Sequence, residues 1–574
     1  MSNNLTGFDM VWAITQNTIN SQLQWLAALP NALPVTEAIG SLADPEQISI
    51  GLGDIGKANV FPQPPVIGAP IVDFNTSRPK LVNFRIPIKS GKAAFLAPDM
   101  ATRTFAVKTV DISGAILGFT VDVNVGKHAA DQMRAGLKVP QDILDQLEKF
   151  NAADFEIASI FLDFENSDLM TYDPTLSSFP PTLEKGFASS ANMAMGRVLA
   201  KKKDSDNPFF LGHIAQRKTA PPDNEILAPN GTNYSTTPYI KVGDQPTNVE
   251  LGLSTFNFLL VGGGKDILKN SALTGPGAGV FSTNFVPSNE YDGVGIIDRN
   301  FYAEKYLKPF FIDPLTATIK KVFGDFRTAH GGGNDTEVHE DTGVLVPNAD
   351  GVSWRYAQNI DLHWSGGGHE RWATRQLEFN VQLMNKPDPS AGGATRMALE
   401  VRGKQFRLEK EQLDDPIAHK NIGGGWGSAQ FSSTLTIFFT AGENGGITLR
   451  VQKDPSPAPV KNSDDWGLYS LADVFSNFLG IDGLQQEWEG QANDLSSEEL
   501  LEDKNLVAAS AEMLKPVATR VVLPAPHVFF YRDLVLNPQN DPEIRLTYKT
   551  DAGTATGDSV QLGAKVLRVQ TIAA

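Results

Sequence analysis

Four histidines, His330, His339, His363 and His369, stand close together beside Asp335, Glu337, Glu340 and Asp341. Imidazole with carboxylate is a donor set that zinc and related divalent metals accept. The spacing argues the other way. The chain has no HExxH and no short His-x-His pair, His363 alternates with apolar strand positions, and the other histidines sit in Gly-rich sequence. The four are therefore expected to be structural or solvent-facing, with no metal site.

His330-Gly331-Gly332-Gly333 imitates an oxyanion loop, but acyl transfer also needs a nucleophile elbow, and GxSxG occurs nowhere. Gly51-Leu52-Gly53-Asp54-Ile55-Gly56 is a formal dinucleotide fingerprint. That fingerprint requires a helix to open from it, and Pro62-Gln63-Pro64-Pro65 forbids one of useful length. No catalytic constellation and no cofactor are assigned. Lys201-Lys202-Lys203 is the one run suited to a phosphate or lipid headgroup, and its plainer role is to complement the negative end of a preceding helix.

Composition narrows the partners. A net charge of −17 argues against nucleic acid or an anionic membrane as an electrostatically recruited partner, except through a local basic patch. The absence of cysteine excludes disulfides, thiolate nucleophiles and Cys-ligated metal. The first residues lack a basic n-region followed by an apolar core, so synthesis in the cytoplasm without a Sec signal is expected, any release following a non-Sec route.

The elements that must position any site are mostly strands. Val82, Phe84, Ile86 and Ile88 alternate with polar residues, as do Leu117, Phe119, Val121, Val123 and Val125, while Phe155–Glu165 changes phase near Ser159 as a bulge requires. After the Gly-rich loop at 330–335 the same style returns in Trp354–Trp364, Leu377–Leu383, Leu435–Phe439 and Ile447–Val451. Gly7–Pro30 is read as one long helix over 8–29, capped by Asp9. Its wide apolar face includes Phe8, Trp12, Ile19, Leu23 and Leu26, and its polar arc (Gln16, Asn17, Asn20, Ser21, Gln24) is uncharged, which suits a helix clasped by protein. Further helices are read at 141–150, 183–201, 299–310 with Asp298 as cap and Pro309 as terminator, and near 470–515. Residues 1–335 form one module, 345–549 a β-rich second, and 550–574 a tail.

Several scattered motifs carry a resemblance. Gly7-Phe8-Asp9 leading to Val11-Trp12-Ala13, Ile19-Asn20 and Leu23, then Ile296-Ile297-Asp298-Arg299-Asn300-Phe301 with Pro309, and finally Val522-Leu523-Pro524, Val528-Phe529-Phe530-Tyr531 and Ile544–Lys549 resemble the OrfX-type accessory proteins encoded beside clostridial neurotoxins, members of the tubular lipid-binding (TULIP) superfamily. The chain departs from that pattern at Phe8, where the family has Trp, at Ala525-Pro526, where Gly-Gly is expected, and in its tail. The resemblance implies an α+β, β-rich fold of long curved antiparallel sheets wrapped around long helices. It implies a non-enzymatic role in a toxin or accessory complex, protein partners from that complex, and lipid or headgroup affinity. It carries no functional residue across, because the shared motifs are structural. The large side chains along the strands predict an interior filled mostly by protein, with lipid confined to a groove or open end.

Overall fold

The structure is a computed structural model that describes residues 5–28, 63–76, 78–99, 101, 103–128, 155–163, 175–179, 209–217, 227–263, 267, 271–275, 278–286, 288–317, 337–340, 346–366, 369–414, 421–442, 446–454, 460–467, 521–522 and 528–549. Strand β1 (Met10–Thr15) runs directly into α1 (Gln16–Ala28). Then come β2 (Gln63–Ile67), β3 (Ile71–Asp73), β4 (Leu81–Asp99), β5 (Thr104–Asp111), β6 (Ile116–His128), β7 (Phe155–Asp163) and β8 (Phe209–Arg217). The middle of the chain holds β9 (Gly231–Thr237), α2 (Asn248–Leu251), β10 (Thr255–Val261), α3 (Ser271–Thr274), β11 (Gly293–Ile297), α4 (Arg299–Tyr302) and a π-helix, Ala303–Ile312. The remainder is β12 (Glu337–Glu340), β13 (Val346–Pro347), β14 (Ser353–Gly366), β15 (His369–Asp388), β16 (Ala394–Asp414), β17 (Asn421–Ala441), β18 (Ile447–Lys453), β19 (Val460–Gly467), β20 (Val521–Val522), β21 (Val528–Leu536) and β22 (Pro542–Lys549).

These strands form three antiparallel sheets. A six-stranded central sheet has the order β21-β22-β11-β1-β10-β9. An eight-stranded N-terminal sheet follows β2-β4-β6-β7-β8-β20, with β3 and β5 also on β4. An eight-stranded C-terminal sheet follows β12-β14-β15-β16-β17-β18, with β13 on β14 and β19 on β17. One apolar cluster draws residues from all three sheets, α1 and the π-helix, and a smaller one covers the opposite face of the central sheet. Among the described residues no helix is long and apolar enough to cross a membrane.

The opening segment differs from the helix expected over 8–29. Its first half is β1, hydrogen-bonded to β10 on one side and β11 on the other, and only Gln16–Ala28 is helical. Every residue of β1 is buried. Met10, Trp12 and Ile14 face the large cluster while Val11 and Ala13 face the small one. A strand apolar on both faces has no period of two, so its run merges with the helix that follows. Thr15, not Asp9, caps α1, its hydroxyl accepting from the Thr18 N–H at 3.2 Å. Asp9 instead accepts from the Gly262 N–H at 2.9 Å. β11 comes close to β1 because it is thinned by glycine: a Cβ on Gly295 would stand 2.7 Å from the Trp12 indole.

Other expectations meet the structure as follows. The alternating strands of both large sheets are present, and the phase change near Ser159 is a register shift between Ile160 and Phe161. Asp298 caps α4 through the Phe301 N–H at 2.9 Å. Pro309 does not end that helix, because the backbone widens into a ten-residue π-helix that encloses it. The six-stranded sheet draws strands from both sides of the boundary expected at 335–345, since β22 of the C-terminal part pairs with β11. The helices expected at 141–150, 183–201 and 470–515, and the tail 550–574, lie outside the described residues. The sheet-rich, antiparallel character expected is present, whereas curved wrapping of sheets around long helices is not shown among the described residues, where α1 has thirteen residues.

Candidate functional site

Helix α1 buries Thr18, Ile19, Gln22, Leu23 and Leu26. Gln22 is 1% exposed, and neither its amide nitrogen nor its oxygen has a hydrogen-bond partner. Leaving a buried donor or acceptor unpaired costs about 1–3 kcal/mol each, so a carboxamide in this state needs a partner from elsewhere.

Three aromatic tips repeat the pattern. The Trp12 indole N–H and the Tyr302 and Tyr531 hydroxyls are buried without partners, and all three residues belong to the large apolar cluster. Burial raises the Tyr302 hydroxyl well above the ordinary tyrosine range, with Tyr306 adding to the effect. Burial also raises the Tyr531 hydroxyl, opposed by the Trp12 indole beside it, yet the pair lacks hydrogen-bond geometry. β1 positions Trp12, α4 positions Tyr302 and β21 positions Tyr531. Chemically the set offers hydrogen bonds without charge in an apolar surround, the complement of a ligand with a hydrocarbon body and a few oxygens.

The π-helix closes this interior on the C-terminal side. Tyr306 and Phe311 stack edge-on against Phe439 of β17, at 6.4 and 5.8 Å between ring centroids.

The histidine cluster read from sequence is only partly described. His330, Asp335 and Asp341 lie outside the described residues, as do the loop at 51–56 and Lys201, Lys202 and Lys203. His363 stacks on Trp372 at 5.2 Å, and Lys410 lies 4.5 Å from that indole. Backbone register sets Glu337 opposite His363 and His339 opposite Asp361. Among the described residues no group of three or more His, Asp or Glu side chains is placed to hold a metal.

A pair that the sequence did not suggest is His213 and Ser159, whose Nδ1 and Oγ stand 2.9 Å apart. Serine beside histidine is the start of a nucleophile. Here both residues are fully buried and directly paired across β7 and β8, so no substrate reaches them.

No family model matches the chain, and no curated protein matches its sequence. Among solved structures it is similar to the crystal structure of lipopolysaccharide binding protein, with a TM-score of 0.28 and 9% identity, over 94% of this chain and 99% of that one.

Proposed function

We propose that this chain is a non-enzymatic, TULIP-type protein that holds a lipid-like amphiphile in its apolar interior and serves as an accessory component of a toxin-associated protein assembly. The observation that carries lipid binding is the set of unpartnered polar atoms on Trp12, Tyr302 and Tyr531 in one apolar cluster and on Gln22, buried on α1 beside Ile19, Leu23 and Leu26 of that cluster. Ligand oxygens in that interior would complete the missing hydrogen bonds. The assembly role is supported by the motif resemblance at Gly7–Leu23, Ile296–Phe301 and Val522–Lys549. Lys201, Lys202 and Lys203 are proposed as a surface headgroup contact, the local basic patch that a net charge of −17 otherwise denies.

A second reading, a partner-binding component whose interior is filled by its own side chains, is favoured by the close aromatic packing of Tyr306, Phe310 and Phe311. Native mass spectrometry of gently purified protein separates the two. A co-purifying lipid near one-to-one stoichiometry is the expected result. A ligand-free mass that takes up no added lipid would establish the filled interior.

A further inference from the structure

One end of the outward face of the C-terminal sheet is basic, although the chain carries a net charge of −17. Along β15, β16 and β18 the positions of Leu383, Leu399, Val401 and Val451 pack in or against the large apolar cluster, so Lys386, Glu400, Arg402 and Arg450, which alternate with them, face away from it. Glu400 lies between Lys386 at 2.8 Å and Arg402 at 2.6 Å, and Asp388 between Arg396 at 3.3 Å and Arg450. Both carboxylates are nearly enclosed, whereas the Arg402 side chain is 65% exposed. Four cations thus share two carboxylates.

The surroundings do not cancel this excess. Among the described residues, Arg355 and Lys404 stand on the same face against Glu378 and Asp454, and Asp350 at the sheet margin is opposed by Arg299. The buried carboxylates also hold the cationic side chains in place, which reduces the rotamer entropy lost when an anion arrives. Arg396 and Arg402 stand about 20 Å apart along β16, so the basic surface is elongated along the strands.

The pattern of charge selects the kind of anion. Nucleic acid presents one charge about every 1.7 Å, and such a dense polyanion is repelled by Glu378 and Asp454 on the flanks. The Phe438 ring in this surface is fully buried beneath Arg450, so it offers no stacking platform for a base. A protein segment with spaced carboxylates suits a surface where cations and acids are interspersed.

We propose that the outward face of β15, β16 and β18 docks an acidic, extended segment of a partner protein, whose carboxylates meet Lys386, Arg396, Arg402 and Arg450. The inference deepens the assembly reading above by giving the partner a charge, and none of these four residues belongs to either apolar cluster.

Fluorescence anisotropy of the full chain with labelled oligoglutamates of about four and about eight residues tests the proposal, because only the longer spans the basic surface. The longer peptide should bind saturably, at least about fivefold more tightly than the shorter, and weaken as salt is added. The double variant Arg396→Gln, Arg402→Gln should lose at least about tenfold in affinity. Asp388 keeps Arg450 and Glu400 keeps Lys386 in that variant, and an unchanged melting temperature checks that it folds. Should it fail to fold, Glu378→Lys decides, since removing the flanking acid should tighten binding at least about threefold. Any one of three results overturns the proposal: no binding of the longer peptide to the parent, affinity unmoved by these substitutions, or tighter binding of an oligothymidylate of equal charge. Each removes this docking surface alone and leaves the assembly reading to stand on its own motifs.

Discussion

The Asn20 carboxamide and the Val72 backbone exchange two hydrogen bonds, Nδ2 donating to the Val72 carbonyl at 2.9 Å and the Val72 N–H donating to Oδ1 at 2.8 Å. One helical turn earlier, Gln16 accepts from the Phe74 N–H at 2.7 Å. Strand β3 pairs with β4 on its other side, so the helix stands in for a neighbouring strand. A spacing of four on the helix meets a spacing of two on the strand edge, which accounts for the uncharged polar arc of α1. Asn385 repeats the device on the C-terminal sheet, exchanging two hydrogen bonds of 2.7 Å with Leu536 of β21.

Asn20→Leu removes both partners of Val72 at once. A loss of about 2–4 kcal/mol is expected, read from urea unfolding. Asn20→Asp keeps the acceptor and should lose less. Equal midpoints for Asn20→Leu and the parent would show that the clamp contributes nothing.

Gly295→Ala tests the approach of β11 to β1. A methyl group 2.7 Å from the Trp12 indole cannot be accommodated unless the ring moves, and overpacking of this kind costs about 1–3 kcal/mol. Shrinking the ring by Trp12→Leu in the same chain should recover part of that loss. Additive losses in the double variant would place the strain elsewhere.

Asp541 sets a pH dependence. It is 4% exposed and accepts from the Arg299 N–H at 3.1 Å. Burial, with a smaller contribution from the Asp298 charge, pushes its carboxyl up to about 6, while the Arg299 N–H works against the rise. Because the folded value lies above the ordinary 3.8, this carboxyl favours the fold most at low pH and loses that contribution as pH rises through about 6. Glu543 is raised too, chiefly by burial. Asp388 and Glu400 are lowered by their hydrogen bonds and cation partners against the effect of burial, and their contribution is lost only at more acidic pH. Asp541→Asn should therefore raise the melting temperature at pH 7.5, by an amount equivalent to about 1–3 kcal/mol, and flatten the profile between about pH 4 and 6. An unchanged profile would mean that Asp541 is solvated in solution.

Legibility followed burial geometry. Trp354, Tyr356, Ile360 and Leu362 of β14 could be read because one face of the strand is apolar and the other polar. β1 and β10 are buried on both faces and show no such alternation. The return of β22 to β11 spans most of the chain, and no local signal encodes it. The candidate site divides the same way. Gln22 was open to discovery, since at 100° per residue it falls among Ile19, Leu23 and Leu26 as a polar residue on an apolar face. The meeting of Trp12 with Tyr531 was not, because β1 and β21 join one sheet from opposite ends of the chain and register is set by pairing rather than by either strand alone.

Gln22 also separates an interior that awaits a ligand from one that is complete. In the delipidated protein its carboxamide is buried without partners, so Gln22→Leu, which fills similar space with apolar atoms, should stabilise that state by about 1–3 kcal/mol. In lipid-loaded protein the same substitution removes a group that the ligand satisfies, and the gain should shrink or reverse. The measurement is a pair of melting curves, with and without added lipid, for parent and variant. Loading should raise the parent's midpoint more than the variant's. If Gln22→Leu stabilises both states equally, the ligand does not touch Gln22, and the hydrogen-bonding role passes to Trp12, Tyr302 and Tyr531. If it destabilises the delipidated protein, the carboxamide already has a partner in solution and is structural. In that case the apolar cluster around α1 is closed, and any ligand belongs on the C-terminal side.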